Sequence, residues 1–203
     1  KHKLVDATYM EVEVPSMRKP PYRVSHGVEI IPPNGLVEIA RPYDDYIVVG
    51  AGKTGMDAII YLLDLSVSPD RIIWIMPNDA WLLDRDNIHP DGLLDTLVAQ
   101  QEVLAQSQTL DLLLTNLEER GMLLRIDRSI WAEKYRCATV DRRELEQLQR
   151  VKNVVRRGRV VNSDDETVNL ERGKFTYRKN TLFIDCSANG LSNRPETPIF
   201  AGQ

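Results

Sequence analysis

The sequence predicts an α/β protein built on a parallel sheet with helices on both faces and flanked by strand-rich segments. One observation is a strand, a glycine-rich turn, a helix and a second strand that follow one another within about 30 residues. Another is that the apolar runs at 46–49, 72–76 and 181–186 are continuous, as in central parallel strands covered on both faces. The composition agrees, because 203 residues with 42% hydrophobic and 28% charged side chains are typical of a globular protein with a real core.

The first 75 residues divide at a proline cluster. Before it, short extended pieces alternate apolar and polar residues around Val12, Val14, Val24 and 28–31. The sequence 32–35, Pro-Pro-Asn-Gly, predicts a turn or linker because proline fixes φ and removes a hydrogen-bond donor. Beyond it we expect the right-handed βαβ unit made of strand 46–49, helix 56–65 and strand 72–76.

The second half predicts helices first and short strands afterwards. The leucine-rich stretch 92–121 indicates one or two helices that end at Gly121. A strand at 122–126 and a polar helix capped by Asp141, with Glu144 at the capping-box position, follow. We expect a series of short antiparallel strands before the buried strand 181–186, at 154–155, 160–161, 167–170 and 175–177.

The most informative motif is Gly50-Ala51-Gly52-Lys53-Thr54-Gly55, a G-x-G-x-x-G between a predicted strand and a predicted helix. Gly50 allows a tight turn, Gly52 lets backbone approach a pyrophosphate, and Gly55 lets the helix pack close to the strand. Unpaired N–H groups and the positive end of the helix would then face the phosphates. The motif predicts a dinucleotide-binding, Rossmann-like domain, and the alternative is a tight turn without a ligand. A Walker motif is excluded because Lys53-Thr54 precedes the last glycine.

Five strings in order resemble one family: VDATYMEVEVPSM, IPPNGL, IVVGAGKTGMDA, RIIWIMPNDAWLLDR and IDCSANGL. They look like the inner part of NAD(P)/FAD-binding oxidoreductases related to flavin-containing monooxygenases. In that family a FAD domain is interrupted by an NAD(P)H domain, and the nicotinamide reduces the flavin. The resemblance makes Gly50, Gly52 and Gly55 the nicotinamide-nucleotide fingerprint, and it implies FAD in the complete protein. The family usually has Ala-Thr-Gly in the returning segment, where this chain has Ser187-Ala188-Asn189-Gly190.

The resemblance also implies a division of the chain. Residues 1–40 would be a strand-rich remnant and linker of the FAD domain, 41–186 the NAD(P)-binding domain, and 187–203 the return segment. Because residues 1–49 contain only Gly27 and Gly35, they cannot form the FAD fingerprint. We therefore expect a fragment of a longer enzyme or a truncated relative, inactive by itself. The alternative is a non-catalytic dinucleotide-binding module or a pseudo-enzyme.

The residues after the second strand bear on the choice between NADP and NAD. An NAD site usually has an acid about 20 residues beyond the glycines, at the strand end, to bind the ribose 2′-hydroxyl. Here Pro77-Asn78 stands at that point, and Asp79 lies slightly beyond. Asn78 and Arg85 are therefore predicted to contact the cofactor, with Arg85 reaching a 2′-phosphate, and NADP is favoured over NAD. The alternative for Arg85 is a surface cation paired with Asp84 or Asp86.

Other function classes find little support. A net charge of −4 predicts neither nucleic-acid nor membrane partners, and Arg156-Arg157-Gly158-Arg159 is better explained as a turn. Two cysteines 49 positions apart and the lack of a long apolar run favour a cytoplasmic protein. The three histidines do not have metal-ligand spacing, and no catalytic acid, base or nucleophile can be named. A homo-oligomer is possible.

Overall fold

The computed structural model describes residues 14–188, which form twelve strands and four α-helices. The helices are α1 (Lys53–Asp64), α2 (Leu93–Gln106), α3 (Leu110–Glu119) and α4 (Arg142–Gln149). The first six strands are β1 (Arg23–Val24), β2 (Glu29–Ile31), β3 (Asp45–Val49), β4 (Ile72–Ile75), β5 (Ala80–Asp84) and β6 (Leu123–Leu124). The other six are β7 (Lys134–Val140), β8 (Asn153–Val155), β9 (Val160–Ser163), β10 (Thr167–Leu170), β11 (Gly173–Thr176) and β12 (Thr181–Asp185).

The centre of the protein is a sheet of five parallel strands in the order β2-β12-β3-β4-β8. Its register places Ile47 of β3 between Phe183 of β12 and Ile73 of β4. Every residue of β3 and of β12 is buried, as the continuous apolar runs predicted. The α/β class is therefore confirmed, and β3, α1 and β4 form the predicted βαβ unit.

The two faces of this sheet are covered differently, which corrects the prediction of helices on both. Helices α1 and α4 cover one face, where Ile59 and Leu148 pack in one core with Trp74. The other face lies against a second sheet, β1-β9-β10-β11, which contributes Val168 and Leu170. Because β10 alternates inward apolar with outward polar residues, one face of a short antiparallel sheet is apolar enough to replace a helical layer.

The antiparallel strands β9, β10 and β11 are those that the sequence predicted at 160–177. The pair 154–155 was assigned to them wrongly, because it belongs to β8 at the edge of the parallel sheet. The predicted linker 32–35 is part of a 3₁₀ helix, Pro33–Glu38, that buries Leu36. Val12 lies outside the described residues.

A third sheet, β6-β5-β7, was not predicted. Its strand β5 carries Trp81, which is buried against α3 through Leu114 and Leu117. Asp84 is the last residue of β5 and is 1% exposed. Its carboxylate is paired with Arg142 and accepts the Asp86 N–H, so a buried charge is compensated.

The helix boundaries follow local signals. The stretch 92–121 forms two helices, and Gly121, with φ of +72°, lies just beyond the end of α3. At the start of α4 the capping box is complete: the Asp141 carboxylate accepts the Glu144 N–H at 2.7 Å, and Glu144 accepts the Asp141 N–H at 3.0 Å. In residues 14–188 no helix is long and apolar enough to cross a bilayer.

Candidate functional site

The glycine-rich loop joins β3 to α1 at the carboxyl edge of the central sheet. From β3 the chain continues through α1 to β4 on one side, whereas β12 lies on the other side. The strand order therefore reverses between β3 and β12, directly beside Gly50. In open parallel sheets, ligands bind in the crevice at this kind of switch point.

The three glycines of the loop meet three different surroundings. At Gly50, φ is +123° and a Cβ would lie 2.8 Å from the carbonyl oxygen of Cys186. At Gly55 a Cβ would lie 2.3 Å from the Gly50 carbonyl oxygen, so only glycine lets α1 approach the strand this closely. At Gly52 a Cβ would meet nothing within 4 Å. Two glycines are thus required by the fold, and the third borders open space.

Unpaired backbone donors surround that open space. Gly52 is the N-cap of α1, and no side chain caps the helix. Its carbonyl oxygen accepts the N–H groups of Gly55 at 3.0 Å and Met56 at 3.1 Å, whereas the N–H groups of Lys53 and Thr54 have no acceptor in residues 14–188. Together with the helix dipole, such donors attract an anion.

Side chains around the loop fix its shape. The Trp74 indole N–H donates to the Gly50 carbonyl oxygen at 2.9 Å, a contact that the sequence did not indicate. Ala51 is partly buried against the helix-side core. The Lys53 ammonium is held at the start of α1 by Asp57 and by Glu144, the latter at 3.4 Å.

The floor of the crevice is the end of β12. The buried Asp185 carboxylate uses one oxygen, Oδ1, to accept the Tyr22 hydroxyl at 3.3 Å and the Ser187 N–H at 3.1 Å. Its other oxygen has no hydrogen-bond partner in the described region. Burial, with the Asp185 charge as a smaller cause, raises the pKa values of the Tyr22 hydroxyl and the Cys186 thiol well above their usual range. Both groups are therefore neutral at physiological pH.

The residues beyond β4 separate into two places. Asn78 is partly buried and lines a cavity of about 270 Å³ together with Lys134, Arg159 and Arg172. Arg85 lies instead against the start of α4, where its guanidinium contacts Asp141 at 3.4 Å and Glu144 at 2.9 Å. Its partners are thus neither Asp84 nor Asp86.

The acid nearest to the end of β4 is also occupied. Both oxygens of Asp79 accept hydrogen bonds from the Arg156 guanidinium, at 2.9 and 3.1 Å. Sequence reasoning did not find this pair, because its members are 77 positions apart.

The chain is similar to known proteins, but these similarities do not assign it to a family. No family model matches the chain. Proteins of Mycobacterium tuberculosis and Mycobacterium bovis, each called an uncharacterized protein, are 43% identical to it over 203 residues. The match covers 98% of this chain and 38% of the length of each relative.

Proposed function

We propose that this chain is the NAD(P)H-binding part of a flavin-dependent, monooxygenase-like oxidoreductase, with a Rossmann-like arrangement around β3, α1 and β4. In the complete protein, the nicotinamide would transfer hydride to FAD. The nucleotide would lie with its pyrophosphate on the loop from Gly50 to Gly55.

The observation that carries the proposal is the difference among the three glycines. A tight turn alone accounts for Gly50 and Gly55, whose missing Cβ atoms leave room for backbone. It does not account for Gly52, beside which there is open space. Glycine at this position is useful when a ligand must come within contact distance of the main chain, as a pyrophosphate does.

The charges near the loop favour a phosphate group. The N–H groups of Lys53 and Thr54, which have no acceptor in the described residues, and the positive end of α1 supply donors for an anion. The Lys53 ammonium stands beside them, in contact with the carboxylates of Asp57 and Glu144. These residues would hold and orient the nucleotide, whose own chemistry is hydride donation from the nicotinamide ring.

The ion pair between Asp79 and Arg156 supports NADP over NAD. A carboxylate that already accepts two charge-assisted hydrogen bonds has little capacity left for a ribose 2′-hydroxyl. A 2′-phosphate, by contrast, would find cations on this edge of the sheet. FAD and the monooxygenase-like activity rest on the sequence resemblance.

Gly52→Asp tests the nucleotide site. The new side chain has room, so the melting temperature should change little, but its charge would stand where the pyrophosphate binds. Calorimetric titration with NADPH and NADH should show binding to the unaltered protein and a loss of at least about a hundredfold, roughly 2.7 kcal/mol, in the variant. Gly92→Asp is the control, because Gly92 also has open space around it but is not part of the loop and precedes α2. Equal affinities in all three proteins would place the nucleotide elsewhere and refute the proposal.

A further inference from the structure

The cavity that contains Asn78 is lined mainly by charged side chains. Its other lining residues are Pro77, Lys134, Arg159, Glu171 and Arg172. They come from four separate places: the end of β4, the start of β7, the turn between β8 and β9, and the turn between β10 and β11. Three cations and one carboxylate therefore meet in one cavity of about 270 Å³ in a chain whose net charge is −4.

In the part of the chain that the structure describes, the three cations form no ion pair with a carboxylate. Elsewhere in residues 14–188, twelve ion pairs link arginines and lysines to acids, including that of Arg156 with Asp79 next to the cavity. Within the same range, none of these pairs includes Lys134, Arg159 or Arg172. Their combined charge is therefore available to an anion of suitable size.

The one acidic residue that lines the cavity forms a hydrogen bond with the backbone. Glu171 Oε2 accepts the N–H of Arg159 at 3.0 Å, and a Cβ on Gly158 would lie only 2.3 Å from that oxygen. The carboxylate thus fits over the β8–β9 turn because Gly158, with φ of +81°, has no side chain. This contact fixes the backbone that carries Arg159, whose guanidinium has no acid partner among residues 14–188.

The cavity is within reach of a ligand held at the glycine loop. The Gly50 N–H donates to the carbonyl oxygen of Ile75 at 3.0 Å, and Asn78 follows Ile75 by three residues. Three residues span at most about 11 Å, so loop and cavity lie on the same edge of the sheet within the length of one nucleotide.

We propose that this cavity is a binding site for a phosphate monoester, with Arg159 and Arg172 as the main ligands, Lys134 as an additional charge and Asn78 as a hydrogen-bond donor. A guanidinium group can bind two phosphate oxygens at once. This geometry suits a dianionic terminal phosphate better than a phosphate that links two groups. The phosphate can belong to the ribose 2′-position of NADP or to a separate small molecule. The site follows from the charges of the cavity, and only its occupation by NADP rests on the proposed function.

The test is a calorimetric titration of the unaltered protein, Arg159→Ala and Arg71→Ala. Arg71 is the matched control because it is an exposed arginine at the opposite end of β4, where the strand begins. The probes are NADP, NAD, adenosine 2′-monophosphate and inorganic phosphate. Arg159→Ala should retain the fold, since its side chain makes no hydrogen bond within the described region, and circular dichroism with a thermal melt checks this.

We expect Arg159→Ala to weaken the binding of phosphate-bearing probes by about tenfold to a hundredfold, the range for one charge-assisted contact, and Arg71→Ala to leave it unchanged. If NADP is the source, NADP loses this factor while NAD keeps its affinity. If a separate monoester is the source, adenosine 2′-monophosphate or inorganic phosphate loses it while the ratio of NADP to NAD affinity stays constant. If Arg159→Ala changes the affinity of no probe, the site is refuted, whatever Gly52→Asp has shown about the loop.

Discussion

The glycine loop separates two groups of cations that differ in their neighbours. On the side of α4, three cations are paired with acids: Lys53 with Asp57 and Glu144, Arg85 with Asp141 and Glu144, and Arg142 with Asp84. On the side of the antiparallel sheet, the cavity brings together cations outside the ion pairs of residues 14–188: Lys134, Arg159 and Arg172. Proximity to a predicted phosphate site is therefore not sufficient to keep a cation out of an ion pair. We expect a cation that no carboxylate of the protein contacts to be more available to a ligand than one held in an ion pair.

The largest effect on stability is expected in the glycine loop, which lies between the two groups of cations. Gly55→Ala would place a Cβ 2.3 Å from the Gly50 carbonyl oxygen, and that oxygen is backbone that cannot rotate away. Separating α1 from β3 should lower the free energy of unfolding by about 2–3 kcal/mol, although alanine favours a helix more than glycine does. Urea-induced unfolding, followed by circular dichroism, measures this change.

The matched control for Gly55→Ala is Gly52→Ala in the same loop. A Cβ at Gly52 contacts nothing, so the free energy of unfolding should fall by less than about 1 kcal/mol. Equal losses in the two variants would mean that the close approach of α1 to β3 does not stabilise the fold.

The sequence could predict those parts of the molecule that depend on local signals. The loop, α1 and the buried strands β3 and β12 were predictable because their sequence signals act within about ten residues. These signals are the spacing of the glycines, the apolar runs and the place of the glycines directly before a helix. The capping box of Asp141 and Glu144 is equally local. The local signals do not show which element covers the second face of the central sheet, since a helix and an antiparallel sheet can bury the same apolar surface.

The pairing of charges was unpredictable for the same reason. Arg85 meets Asp141 across 56 positions, and Arg156 meets Asp79 across 77. The first pair forms only after β5 and α4 have come together, and the second only after β8 has joined β4. The contact between the Arg125 guanidinium and Trp81 is another example, at 4.8 Å from the centre of the ring. It depends on the third sheet, which was not predicted.

An effect of intermediate size on stability is expected at the floor of the crevice, the end of β12, when the pH is raised. Burial raises the pKa of Cys186 above its ordinary value of about 9. In the unfolded chain the thiol loses its proton from about pH 9 upwards, whereas in the folded chain it keeps it. The unfolded state is therefore favoured progressively, by up to about 1.4 kcal/mol per pH unit above pH 9.

Cys186→Ala should remove this contribution. Urea unfolding at intervals from pH 8 to pH 11 should give a less steep loss of stability in the variant than in the unaltered protein. Cys137→Ala is the control, because Cys137 is exposed, and it should leave the slope unchanged. Identical slopes in all three proteins would show that folding does not raise the pKa of Cys186, and that burial at the end of β12 does not keep the thiol protonated at high pH.

The smallest effect is expected from Arg85, the residue that the sequence favoured as the reader of a 2′-phosphate. Its guanidinium already contacts two carboxylates, and its side chain is 44% exposed, so replacing it removes a solvent-screened pair worth at most about 1 kcal/mol. To bind a phosphate it would have to leave Asp141 and Glu144, and their negative charges would repel the ligand. Arg85→Ala should therefore change the ratio of NADP to NAD affinity by less than about threefold, whereas Arg159→Ala changes it by tenfold or more if the cavity holds the 2′-phosphate. Titration of both variants with both nucleotides decides between the two sides. A tenfold loss of NADP affinity in Arg85→Ala, with none in Arg159→Ala, would assign the phosphate to the α4 side and show that ion pairing within the protein does not prevent a cation from binding a ligand.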